Sequence, residues 1–291
     1  MSLPQAQAQI EADLAQRIAD HQQSIASALA NGVLYQPNSP LVLLADGDSW
    51  FDYPLNAFPP LIATTDIIAQ LPALCNPKPF ILNLSHYGDA TTTELGLTRV
   101  QKVMNALTNP SNGPVDAILF SGGGNDIVGD PFCIWLNDAN SVDGDATQAL
   151  NMPRFTAALD LVIASYDDLI GVRDDNRSGA PILVHAYDFA IPSGIGAPCG
   201  IGPWLKPSLD YCGWTDPTKA AEIVRNALTL LGRKLSNLAS VPANNMIYVQ
   251  TQGTLTGLAA WDNELHPKPP GFVQIATLFK NALATQFPGR I

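Results

Sequence analysis
The sequence predicts a three-layer α/β/α domain built on a five-stranded parallel sheet, and three observations predict it. Five short apolar runs recur along the chain, at residues 41–44, 80–84, 115–120, 181–187 and 246–249. Longer stretches with helical spacing separate them, the alternation that gives parallel strands with helices on both faces. The first three runs empty into clusters of Gly, Asp, Asn and Ser, the punctuation expected where a buried strand leaves the sheet.

The elements follow in order. A helix is expected over residues 5–30, where Ile10, Leu14 and Ile18 recur every four residues and Ile25 and Leu29 continue the stripe. His21 lies between Asp20 and Gln22-Gln23 and reads as a solvated surface histidine. The run Leu41-Val42-Leu43-Leu44 is bounded by Pro40 and Gly47, and the turn Asp46-Gly47-Asp48-Ser49 follows at once. A helix over 61–71 is expected to stop at Pro72. The strand at 80–84 runs into Ser85-His86-Tyr87-Gly88, and a helix over 92–107 ends at Asn109-Pro110. The strand at 115–120 empties into Ser121-Gly122-Gly123-Gly124-Asn125-Asp126. Residues 131–151 read as a loop or short helical insert, and 153–170 as a helix. In the strand at 181–187, Leu183 and His185 share one face. A long loop, 188–216, carries Trp204 and Trp214. Helices over 217–238 and 270–285 flank the last strand, at 246–249; the first opens with Pro217, which is tolerated in a first turn. No repeat or linker interrupts the chain, so residues 1–291 read as one domain.

The composition narrows the function. With 46% hydrophobic and 14% charged residues, the chain can bury a large core. Its net charge is -11, from 15 basic and 26 acidic residues, and no Lys/Arg cluster stands out. Nucleic acid and anionic membrane surfaces are therefore poor partners. No run of about 18 apolar residues offers a membrane span. The first residues have neither the basic nor the apolar region of a secretory leader. The expectation is a soluble protein, cytoplasmic as the sequence stands, or secreted if a leader has been removed. Cys75, Cys133, Cys199 and Cys212 show no CxxC spacing, so zinc and thioredoxin-type chemistry have little support; the expectation is a protein with no metal and no cofactor. Cys199 and Cys212 bracket one loop, and could be either bonded to each other or free.

Polar groups concentrate where a parallel sheet presents ligands, outside the carboxyl ends of its strands. Ser49 follows the first strand, Gly88 the second, and Gly124-Asn125-Asp126 the third. After the fifth comes Trp261-Asp262-Asn263-Glu264-Leu265-His266-Pro267. Together they offer a hydroxyl, a base, groups to orient the base, and donors for an oxyanion. Taken alone, Asp48 and Ser49 read equally well as caps on the next turn.

In these blocks the chain resembles the SGNH, or GDSL, hydrolases. Gly47-Asp48-Ser49 matches that family's first block, Gly88 its lone loop glycine, and Gly123-Gly124-Asn125-Asp126 its Gly-x-Asn-Asp. The stretch ending at His266 matches its final block in part. The matches keep the family's order over residues 47–266. The resemblance implies a flavodoxin-like SGNH-hydrolase fold and a carboxylic ester hydrolase without cofactor, acting on a small-molecule, glycan or lipid ester. It makes Ser49 the nucleophile and His266 the base. The backbone N–H groups of Ser49 and Gly88 and the Asn125 amide would form the oxyanion hole. Two places depart from the pattern. Trp50 stands where leucine is commoner, and the position three before His266, where the family keeps its acid, holds Asn263. Asp262 is then the expected orienting acid, and Asn263 the second choice.

Other residues have two readings each. Trp50, His86, Trp204 and Trp214 could line a substrate pocket, but His86 could equally bond its own loop, and the two loop tryptophans could form that loop's own core. His185 reads as a satisfied core histidine, and Asp126 as bonding the backbone of its own turn. Two other functions compete. A metal-dependent phosphoesterase would use Asp46, Asp48, Asp126 and His266, fewer ligands than two-metal sites usually have. A ligand-binding protein could keep the fold without the chemistry. The acyl group, the alcohol and the oligomeric state have no signature in the sequence.

Overall fold
The structure is a computed structural model. It describes residues 3–53, 65–88, 90–91, 96–177, 179–197 and 201–291. Five parallel strands form one sheet in the order β2-β1-β3-β4-β5: β1 Val42–Gly47, β2 Phe80–Asn83, β3 Ala117–Ser121, β4 Ile182–Val184 and β5 Met246–Tyr248. This is the flavodoxin-like order, whose direction reverses between β1 and β3. Strands β1, β3 and β4 are buried along their whole length, which is why they read as unbroken apolar runs rather than alternating ones.

Helices lie in the crossovers between the parallel strands. α2 (Ile67–Leu74) follows β1 and packs against α8 (Pro269–Gln286). α3 (Leu97–Thr108), α5 (Met152–Arg177) and α7 (Pro217–Ala239) follow β2, β3 and β4, and α5 touches both of the others. α4 (Gly124–Ile127) and α6 (Lys206–Tyr211) are short. α1 (Leu3–Ala30) packs beside β2 at the sheet edge. Residues 130–148 form three short 3-10 segments, the insert expected between β3 and α5.

Three local expectations change. α2 begins only at Ile67, because the Asp66 carboxylate caps it by accepting from the Ala69 N–H. Pro72 lies inside that helix rather than ending it, so the missing N–H costs one bond and two more residues follow. Residues 61–64 of the expected helix lie outside the described residues. His21 is 6% exposed, with Nε2 3.0 Å from the Asn112 carbonyl; α1 turns that edge toward the sheet, not to solvent. Cys212 is a free thiol, and Cys199 lies outside the described residues.

Candidate active site
The reversal of strand order opens a crevice between the ends of β1 and β3, and the sequence puts its reactive groups there. Gly47 pairs with Ser121 across the two strands. Gly47 has a φ of +146°, and a Cβ there would collide with the Ser121 backbone. Only glycine lets β1 leave the sheet this close to β3. The chain then turns, and the Asp48 N–H bonds the Ser121 carbonyl at 3.0 Å. Ser49 comes next, at the mouth of the crevice.

Beneath Ser49 lies a closed polar network whose directions can be worked out. His185 Nδ1 accepts from the Tyr187 N–H at 3.2 Å, so Nε2 carries the proton and donates to Ser121 Oγ at 3.0 Å. Ser121 donates in turn to Asp48 Oδ1 at 2.9 Å, and the Tyr187 hydroxyl donates to Asp48 Oδ2 at 2.6 Å. Tyr187 also accepts the Gly124 N–H at 2.8 Å, and the Trp50 N–H reaches Asp48 Oδ1 at 3.0 Å. Asp48 thus ties together the ends of β1, β3 and β4. Burial pushes its pKa up to about 6, against the pull of these donors. His185 is fully buried, as expected, and burial draws its pKa down to about 3.

His266, the expected base, comes from the turn after β5. His266 Nε2 is 2.7 Å from Ser49 Oγ, across 217 residues of sequence. Its Nδ1 is 2.9 Å from Asn263 Oδ1. The Asn263 oxygen also accepts the backbone N–H groups of Leu265 and His266, each at 3.0 Å. Those two donors fix which end of the amide is oxygen. Nδ1 must then carry the imidazole proton, which leaves Nε2 free to accept from Ser49. Burial draws the His266 pKa down to about 3, so the ring is neutral around neutral pH.

The carboxylate of Asp262, the expected orienting acid, is directed to Tyr53 and not to the His266 ring. Its Oδ2 accepts from the Tyr53 hydroxyl at 3.0 Å. The bridge between Trp261 and Pro267 closes the turn, and the Asp262 N–H bonds the His266 carbonyl. This folds position 263, three before the histidine, under the ring and leaves 262 beside it. Tyr53, which sequence reasoning passed over, stacks on His266 with ring centroids 4.2 Å apart. Glu264 is fully buried and accepts four backbone N–H groups, from Gly194, Trp204, Leu205 and Lys206. It pins the 188–216 loop to the site, another role the sequence did not announce.

A narrow cavity of about 30 Å³ opens beside Ser49. Asn125, Gly124, His266, Trp50 and Tyr187 line it, with Val128, Ala190, Leu228 and Leu265 as an apolar wall. Asn125 thus borders the same cavity as Ser49 and His266. Gly88 is exposed at a φ of +83°, a left-handed turn that favours glycine, and does not line this cavity. Among the described residues, neither the Ser49 nor the Gly88 N–H bonds another protein group. Of the four candidate pocket residues, only Trp50 lines the cavity. Trp204 stands edge-on to His266 at 5.7 Å, and His86 stacks on Tyr87. Trp214 is 2% exposed and donates to the Asn137 carbonyl, so it is core of the insert and not pocket. Asp126 accepts from the Thr91 N–H, in another loop. Among the described residues, no three His, Cys, Asp or Glu side chains are gathered to hold a metal ion. None of their helices is long and apolar enough to cross a membrane.

No protein-family model matches the chain, and no curated protein matches it. Solved structures do. The lipase Lip_vut3 from a goat rumen metagenome is 14% identical over 83% of this chain and 97% of that one, with a TM-score of 0.51. An extracellular lipase from Streptomyces rimosus is 16% identical over 82% and 98%, with a TM-score of 0.49. A member of the lipolytic G-D-S-L family from Veillonella parvula is 13% identical over 86% and 98%, with a TM-score of 0.44. The chain has the fold of such hydrolases, the flavodoxin-like α/β/α expected from its sequence.

Proposed function
We propose that this chain is a serine esterase of the SGNH type, hydrolysing carboxylic esters through an acyl-enzyme on Ser49. The observation that carries the reading is the 2.7 Å contact of Ser49 Oγ with His266 Nε2, in the tautomer that Asn263 dictates. Neutral Nε2 takes the Ser49 proton as Oγ attacks the ester carbonyl. The carbonyl oxygen gains the negative charge and is held by the Ser49 N–H group and the Asn125 amide, donors that bring no charge of their own; Gly88, expected as a third donor, stands outside the cavity. His266 then returns the proton to the departing alkoxide, and the alcohol leaves. Water attacks the acyl-enzyme by the same route, giving up its proton to His266, which hands it back to Ser49. The acid is released. Asn263 orients the base in place of the usual carboxylate, as in Cys-His-Asn proteases. The narrow apolar wall of Val128, Ala190 and Leu228 suits a small acyl group.

The test is Ser49→Ala with p-nitrophenyl acetate, together with mass mapping after treatment with an organophosphate ester. Loss of turnover with an unchanged fold, and label on Ser49 alone, is the expected result. Near-wild-type turnover, or label on another serine, overturns the assignment.

A further inference from the structure
In the proposed reaction His266 becomes positively charged at each proton transfer, yet its direct partner is a neutral amide. A carboxylate in that place would hold the imidazolium by charge, where an amide offers only a dipole. His266 is also 6% exposed, so water does little to replace the missing charge. The nearest carboxylate aimed this way stands one residue further out. Asn263 Nδ2 lies 2.7 Å from the Tyr53 hydroxyl oxygen and 3.4 Å from Asp262 Oδ2. Because Nδ2 can only donate, Tyr53 accepts from it and sends its own proton to Asp262, 3.0 Å away. An unbroken set of bonds therefore runs from Ser49 through His266, Asn263 and Tyr53 to Asp262. The Tyr53 ring also lies over the imidazole, tilted by 20°.

We propose that Asp262 and Tyr53 are positioning residues that supply, through the Tyr53 ring face and the Asn263 amide, the negative charge that the Ser49-His266-Asn263 set lacks. The proposal rests on the assignment of Ser49 and His266 above. Donation of the Tyr53 proton to a carboxylate leaves more electron density on the phenol, and an aromatic face attracts a cation stacked on it. The same bonds keep the amide from turning over, which would set Nδ2 against the Nδ1 proton.

The other charged groups around the turn have partners elsewhere. Glu264 is committed to the four N–H groups of the 188–216 loop. Asp48 faces Tyr187, Ser121 and Trp50, and Asp188 accepts from the N–H groups of Phe189, Gly253 and Leu255. Asp52, beside Tyr53 in the chain, pairs with Arg17, which also pairs with Asp13. Lys268 is exposed to solvent. Asp262 alone among these is bonded to the ring stacked on His266.

The experiment uses the whole chain phosphonylated on Ser49, an adduct that places a tetrahedral oxyanion beside His266. Nitrogen NMR then reads the titration midpoint of the imidazole in wild type, Asp262→Asn, Tyr53→Phe and the exchange Asp262→Asn/Asn263→Asp. kcat and KM are measured on the same proteins without the adduct. Asp262→Asn and Tyr53→Phe should each lose about tenfold in kcat at unchanged KM, with the midpoint about one pH unit lower. The sign follows from charge: removing a negative group makes the imidazolium easier to deprotonate. The exchange returns a carboxylate to direct contact, and should restore both midpoint and kcat. A purely structural loss would lower kcat without moving the midpoint, and the exchange would not rescue it. A wild-type midpoint in Asp262→Asn overturns the proposal, even if Tyr53→Phe or the exchange does not fold. Failure of the wild-type chain to take the label on Ser49 refutes the nucleophile assignment instead, so the two failures can be told apart.

Discussion

Replacing Glu264 by glutamine should unfasten the 188–216 loop. The carboxylate takes the N–H groups of Gly194 and Lys206 on one oxygen, at 2.9 and 3.1 Å, and those of Trp204 and Leu205 on the other, at 2.6 and 2.7 Å. An amide of the same shape has one oxygen. Whichever way it turns, two backbone donors meet an NH₂ and lose their acceptor. The better orientation keeps oxygen on the shorter pair and gives up Gly194 and Lys206. Each orphaned donor costs about 1–3 kcal/mol, so the substitution should cost roughly 2–6 kcal/mol. The two surviving bonds also weaken, since their acceptor is no longer charged. Urea unfolding followed by tryptophan fluorescence measures this directly. A loss below about 1 kcal/mol would mean that the loop is held by its apolar contacts, chiefly buried Leu205 and Leu209, and would refute the clamp.

Three further outcomes follow from the site. Asn263→Ala removes the acceptor that sets the His266 tautomer, and kcat should fall by roughly 10³–10⁴, the scale seen when a triad acid is neutralised; a fall of less than tenfold in a p-nitrophenyl acetate assay would mean the ring is held by something else. Asn125→Ala should lower kcat by about 10²–10³ with little change in KM, because an oxyanion donor tightens only in the transition state; a change confined to KM would make Asn125 a ground-state contact. Burial draws the pKa of both His185 and His266 from 6.5 to about 3, so the unfolded chain takes up protons that the folded one refuses. Their share of the stability is present above pH 6.5 and is lost as the pH falls from there toward about 3, by at most about 1.4 kcal/mol per pH unit for each histidine. Asp48, raised to about 6, acts in the opposite direction, so the informative quantity is the wild-type slope less that of His185→Gln, measured by urea unfolding between pH 4 and 7. Equal slopes would contradict a neutral buried His185.

The strand ends were legible because each is marked twice. Gly47, Ser49, Gly124 and Asn125 follow apolar runs, and turn residues mark where each run leaves the sheet. The histidine that meets Ser49 was legible as the one histidine in a late loop. The residue that bonds its ring was not, because Asp262 and Asn263 differ by a single step of the chain. Which of them faces the ring is decided by the Trp261–Pro267 bridge, a contact that leaves no trace in local composition. A carboxylate also looks the better partner on chemistry alone, which favoured the neighbour that bonds Tyr53 instead. Tyr53 was missed for a similar reason: four residues after Ser49, it reads as one more apolar residue of that turn. His21 was misplaced because its polar neighbours suggest solvent, while the Asn112 carbonyl that receives it comes 91 residues later.

The network beneath Ser49 has a consequence for anyone wishing to change what this chain accepts. Asp48, Ser121, His185, Tyr187 and Gly124 are joined by bonds of fixed direction. A donor replaced at one position strands an acceptor at the next, so single substitutions there should mostly yield inactive or unfolded protein, and tolerated ones should come as matched pairs. Val128, Ala190 and Leu228 border the same cavity and hold no part in that network. A mutant library confined to these three positions can widen or reshape the cavity while leaving the floor under Ser49 untouched. Within a few residues of one serine, the molecule thus separates a region that must change in concert from one that can vary a residue at a time.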